Sequence, residues 1–119
     1  NPALTSINLQ ALTTQSGFFF FGNDTLLSMS LPSLIIQTSG NQSNNAVLTG
    51  FVANLLTTQA DVNQTDNTLL TTITTPLLTS IGTGNYVGCT YNIMTINVDA
   101  SLFGAADILL AQAGGATII

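Results

Sequence analysis

The side chains able to carry acid–base, nucleophilic or metal chemistry in this sequence are few. They are Asp24, Asp61, Asp66, Asp99 and Asp107, the thiol of Cys89, and the phenols of Tyr86 and Tyr91. Lys, Arg, His and Glu are absent from all 119 residues. General acid–base catalysis near neutrality relies mostly on His, Glu or a tuned Lys. A Ser-His-Asp or Cys-His arrangement lacks its middle member, so the many Ser and Thr hydroxyls have no base to activate them. The sequence therefore reads as non-enzymatic. The residual catalytic reading is an aspartate-only site, which needs two carboxylates side by side with one held protonated.

Metal and cofactor motifs are equally sparse. One Cys with no His cannot close a zinc site. Asp61-Val62-Asn63-Gln64-Thr65-Asp66-Asn67 places oxygen ligands at alternate positions, which makes Asp61, Asn63 and Asp66 the candidate metal ligands. A calcium loop requires Gly where Asp66 stands and a bidentate Glu where Thr72 stands, so a solvated turn is the preferred reading. Gly82-Thr83-Gly84 lacks the further glycine and the lysine of a phosphate loop. No cofactor is expected.

Charge removes further classes. The chain is 4% charged with a net charge of −5, against about 25% in an ordinary soluble domain. Nucleic-acid binding draws its affinity from cations against phosphate, and anionic membrane surfaces need the same cations. Neither partner is expected. The mean hydropathy of +0.48 reflects missing charge, since the apolar fraction of 45% is ordinary. Uncharged polar residues fill the gap, with Thr at about one residue in six. Such a chain has neither the low hydrophobicity nor the high net charge of disorder. Its longest apolar run, Phe18 to Phe21, falls far short of the roughly 20 residues that span a bilayer.

The chain starts at Asn1-Pro2 without Met, so a processed or a trimmed N-terminus is expected, with any signal peptide already removed. Three sequons make Asn23, Asn41 and Asn63 glycosylation candidates, the last two in stretches that read as loops. Cys89 reads as a small hydrophobe in a strand, with an intermolecular disulfide as the alternative. Lacking Lys and Arg, the chain offers trypsin no cleavage site, which suits a structural material.

The elements that must position these residues are read from periodicity. Ile7, Leu9 and Ala11 alternate as a strand; Phe18-Phe19-Phe20-Phe21 reads as a strand covered on both faces. Leu34-Ile35-Ile36 reads as a strand, followed by a polar loop over 40–45. Val47, Leu48, Phe51, Val52, Leu55 and Leu56 form a helical face. Residues 68–81 lean to a helix stopped by Gly82, although six threonines and Pro76 also permit a strand. Residues 85–98 give the clearest strand pattern. Asp99 then caps a helix whose Leu102, Phe103, Ala106, Leu109, Leu110 and Ala113 share a face, ended by Gly114-Gly115. No internal repeat is apparent at this level.

The expected fold is one α+β domain over residues 1–119, an antiparallel sheet with two or three short helices. An all-β sandwich or jelly roll is the alternative. In composition alone the chain is similar to extracellular filament and surface-layer subunits, and to low-charge surface-active fungal proteins. The expected function is a secreted, self-assembling structural subunit of a filament, pilus-like fibre, shell or coat, whose partners are copies of itself. Uncharged Thr, Asn and Gln hydrogen-bond across interfaces without the cost of burying ions. Segments 2–12 and 116–119 are candidates for exchange between copies, by adding to a neighbour's sheet. The assembly candidates are Ile7, Leu9, Phe18, Phe19, Phe20, Phe21, Ile118 and Ile119. The runner-up function is a surface-active or apolar-ligand-binding module.

Overall fold

Aligned at a step of 22, the sequence superimposes Asn23, Asn45 and Asn67; Leu26, Leu48 and Leu70; Leu34, Leu56 and Leu78; and Gln15, Gln37 and Gln59. A computed structural model describes residues 1, 3–19, 22–60, 62–63, 66–81, 95–97 and 106–119. In it the chain winds as a parallel β-solenoid whose coils are 22 residues long from Ser6 to Thr72, with one step of 23 from Thr72 to Thr95. Strands β1 (Ser6–Asn8), β3 (Ser28–Ser30), β5 (Gly50–Val52), β8 (Thr72–Thr74), β10 (Thr95–Asn97) and β11 (Thr117–Ile118) form a six-stranded sheet in that order. A five-stranded sheet orders β2 (Thr14–Phe19), β4 (Ile36–Asn41), β6 (Thr58–Gln59) and β9 (Ser80–Ile81), with β7 (Val62–Asn63) also paired to β4.

Every strand pairing among the described residues is parallel, because successive coils run in the same sense and place equivalent residues side by side. The expected antiparallel α+β sheet, and the sandwich or jelly roll offered as its alternative, are thereby corrected. Parallel strands need a long crossover; here the crossover is the opposite wall of the coil.

Two corners of each coil are turns with local sequence reasons. The N–H groups of Leu26, Leu48 and Leu70 donate to the carbonyls of Asn23, Asn45 and Asn67, and Asn favours the first position of such a turn. Those of Leu34, Leu56 and Leu78 donate to Leu31, Ala53 and Thr75. Pro32 and Pro76 sit second in two of these turns, where their fixed φ is pre-set.

Between the corners, apolar side chains stack in columns. Ile7, Met29, Phe51, Ile73, Ile96 and Ile118 are register partners along the first sheet. Leu26, Leu48 and Leu70 form a second column, and Leu34, Leu56 and Leu78 a third, all buried. Within one coil the inward residues fall at Leu26, Met29, Leu31 and Leu34, a spacing of neither 2 nor 3.6.

Two expected helices are corrected on this ground. Residues 47–56 hold the end of one turn, β5 and the next turn; Leu48, Phe51 and Leu56 point inward while Leu55 is exposed. Residues 68–81 hold turn, β8, turn and β9. The 40–45 loop is also shortened, since β4 runs to Asn41.

Among the described residues one helix is present, α1 (Ala106–Ala113), with Ile108 and Ala111 packed into the core. It ends as expected at the glycine pair. Ala116 N–H donates to Ala111 O and Gly115 N–H to Gln112 O, with Gly115 at φ +97°, a Schellman cap. Of the strand expected over 85–98, Thr95–Asn97 is β10; the rest lies outside the described residues, as do Asp99, Leu102 and Phe103.

Candidate functional site

Polar residues that face inward repeat as strictly as the leucines, and they form ladders along the solenoid. At one corner the backbone N–H and Nδ2 of Asn23 both donate to Oδ1 of Asn45 at 3.2 Å. The same two groups of Asn45 donate to Oδ1 of Asn67 at 3.0 and 3.3 Å. The Gln42 carbonyl accepts from Nδ2 of both Asn45 and Asn67. Asn23, Asn45 and Asn67 are buried. Buried amides persist only where their groups are partnered, and a repeating coil supplies each Asn with the next.

A second ladder lies on the other sheet. Gln59 Nε2 donates to Gln37 Oε1 at 2.8 Å, and Gln37 Nε2 donates to Gln15 Oε1 at 2.6 Å, all three residues buried. Gln15 Nε2 ends the ladder without a protein partner.

On the outer surface, threonine hydroxyls bond the preceding coil. Thr49 and Thr71 donate from Oγ1 to the carbonyls of Leu27 and Thr49, and Thr57 and Thr79 to those of Ile35 and Thr57, at 3.0–3.1 Å. The same carbonyls accept the backbone N–H of those threonines. These hydroxyls therefore lock adjacent coils together. With no basic side chain in the sequence, no side-chain ion pair contributes.

The two ends of the first sheet differ from its middle. Met29, Phe51, Ile73 and Ile96 are at most 1% exposed, whereas Ile7 is 7% exposed and Ile118 only partly buried. Leu4, Leu9 and Leu12 of the first coil are likewise partly buried, while Leu26, Leu31 and Leu34 one coil later are fully covered. An open hollow there is lined by Asn8, Leu9, Gln10, Ala11 and Leu12.

The expected site residues are placed as follows. Ile7 lies on β1 and Ile118 on β11, at opposite edges of one sheet, and Ile119 is 61% exposed. The segments expected to exchange, 2–12 and 116–119, carry β1 and β11, which pair here with β3 and β10 of the same chain. Phe18 and Phe19 belong to β2; Phe20, Phe21, Cys89, Tyr86 and Tyr91 lie outside the described residues.

Asn23 uses for its ladder bond the same Nδ2 that an N-glycan would occupy. Asn41 and Asn63, expected in loops, instead pair with one another on β4 and β7. Of the metal candidates, Asp61 is outside the described residues, Asn63 is on β7, and Asp66 is an exposed turn residue at φ +56°. No group of three metal-ligating His, Cys, Asp or Glu occurs among the described residues, and none of their helices is long and apolar enough to cross a membrane.

No protein-family model, curated protein or solved structure matches this chain. What it does is therefore argued from its own geometry. The Asn and Gln ladders were missed by reading the chain locally; the signal was the 22-residue step itself.

Proposed function

We propose that the protein is a non-catalytic, extracellular structural subunit, a short β-solenoid rod that assembles with copies of itself. The observation that supports this most is the regular parallel β-solenoid itself, whose coils are tied together by stacked uncharged Asn, Gln and Thr side chains and apolar columns, with no side-chain ion pair. A repetitive fold of this kind suits a structural protein whose copies associate without having to desolvate ions.

Sedimentation velocity across a wide concentration range tests the proposal, with negative-stain imaging of the most concentrated sample. Reversible, concentration-dependent growth into elongated particles is expected. A monomer at every concentration overturns the proposal.

A second reading rests on a different observation. Leu55 and Leu77 occupy the same position in successive coils and are 46% and 48% exposed. Paired apolar corners of this kind favour a module that contacts an apolar surface. Under that reading the protein lowers surface tension as a monomer.

A further inference from the structure

We infer that the sequon Asn23-Asp24-Thr25 accepts a glycan only before the chain folds, and that a glycan placed there works against the solenoid. This holds whether or not copies assemble. Of the three ladder asparagines, Asn23 alone heads a sequon. Three observations carry the inference.

First, the acceptor atom is inside. Asn23 is 6% exposed, and its Nδ2 donates at 3.2 Å to Oδ1 of Asn45, itself fully buried. N-glycosylation joins Nδ2 to the anomeric carbon of a lipid-diphosphate-linked sugar. Nδ2 gives up one proton, the bond from sugar to diphosphate oxygen breaks, and the lipid diphosphate leaves. The product carries a bulky, solubilising group that belongs on a surface. A group of that size has no place on a nitrogen packed against the next coil.

Second, the third residue of the sequon is engaged as well. Oγ1 of Thr25 donates to the carbonyl of Leu4 at 3.0 Å. The hydroxyl that makes Asn-x-Thr an acceptor is therefore committed to the preceding coil.

Third, the backbone is held in a turn. The Leu26 N–H donates to the Asn23 carbonyl at 3.1 Å. The flanking Gly22 and Leu27 N–H groups donate to the carbonyls of Ser43 and Thr5 at 3.3 and 2.8 Å. The sequon is thus tied to the coils on both sides, and an enzyme cannot draw it out without opening the fold.

A glycan transferred earlier acts on the fold in turn. The Asn23 side chain must then point outward, which takes the Nδ2 donor from Oδ1 of Asn45 and leaves a gap in a buried corner.

Comparing the folded with the nascent chain tests this. Purified, folded protein is incubated with solubilised oligosaccharyltransferase and its lipid-linked donor. The same chain is translated into microsomes behind a cleavable signal peptide. Mass spectrometry reads occupancy at Asn23 in both samples. A glycan at Asn23 of the nascent chain, and none on the folded one, is expected. Occupancy in both samples, or in neither, overturns the inference, because the fold would then not decide. Chains glycosylated at Asn23 alone should unfold at a lower urea concentration than glycan-free chains; equal midpoints would overturn the claim that the glycan opposes the solenoid.

Discussion

The side-chain amide of Gln37 donates to Oε1 of Gln15 at 2.6 Å, between residues 22 apart in sequence and both buried. That bond shows how the fold is held: the inward amides of the Asn and Gln ladders are answered by their counterparts one coil away. It also makes the ladder vulnerable in its middle. Gln37→Leu takes the donor from Gln15 Oε1 and the acceptor from Gln59 Nε2, at an expected cost of about 2–3 kcal/mol. Replacing Gln15, Gln37 and Gln59 together by Leu should recover most of that loss, because no partner is then stranded. The register partner of Gln59 in the next coil is already Ile81. Urea denaturation of the single and triple variants checks this; a triple variant less stable than the single contradicts it.

The asparagine corner should respond more sharply to one change. Asn45 accepts two hydrogen bonds from Asn23 and donates to Asn67 and to the Gln42 carbonyl. Asn45→Ala keeps the backbone donor but strands the rest in a buried site, which should cost about 3 kcal/mol. The exposed Asn54, two residues past β5, should tolerate Ala within about 0.5 kcal/mol. Equal losses at the two positions would show that the corner ladder contributes nothing special.

Local patterns explain both what the sequence reading caught and what it lost. The chain's low charge, a strand at Ile7 and the stop of a helix at Gly114-Gly115 were legible, because each depends on residues adjacent in sequence. The face expected of that helix was not: Ala106, Leu109, Leu110 and Ala113 are exposed, and Ile108 and Ala111 pack inward. The solenoid was not. Leu48, Phe51, Ala53 and Leu56 are spaced three, two and three residues apart, since a coil passes through turn, strand and turn within nine positions. Such spacing fits parts of both periods, and adding the half-buried Val47 and Val52 and the exposed Leu55 completes a false helical face. The true signal lies between coils, in Asn23 against Asn45 and Gln37 against Gln59. Variable outward positions, such as Leu27 against Thr49, mask that repeat in a linear reading. Sheet direction was out of reach for the same reason, being set by which residues stack rather than by which are neighbours.

Phe51 and Leu55 separate the solenoid from that helical face directly. Phe51 is fully buried between register partners Met29 and Ile73, and Leu55 is 46% exposed at a corner. Phe51→Ala should cost about 3–5 kcal/mol as a core truncation. Leu55→Ala should change stability by about 0.5 kcal/mol or less. Thermal or chemical denaturation of both variants decides; comparable losses would place the two side chains in one core.

Because one coil equals 22 residues, whole coils should be removable. Deleting residues 45–66 joins Asn44 to Asn67 and leaves the Asn, Leu and Gln columns in phase. Repeat architectures gain stability from each neighbour interface, so the shortened protein should fold with parallel-sheet circular dichroism and reduced stability. Deleting residues 45–55 instead brings Leu56 to the Asn45 position and should abolish cooperative unfolding. If the two deletions behave alike, the coil is not the folding unit.

The central claim, a parallel β-solenoid that assembles with copies of itself, is tested most directly by cryo-electron microscopy of the concentrated protein. Elongated assemblies built from stacked parallel strands spaced by about 4.8 Å are expected. Particles that remain single at high concentration would contradict it.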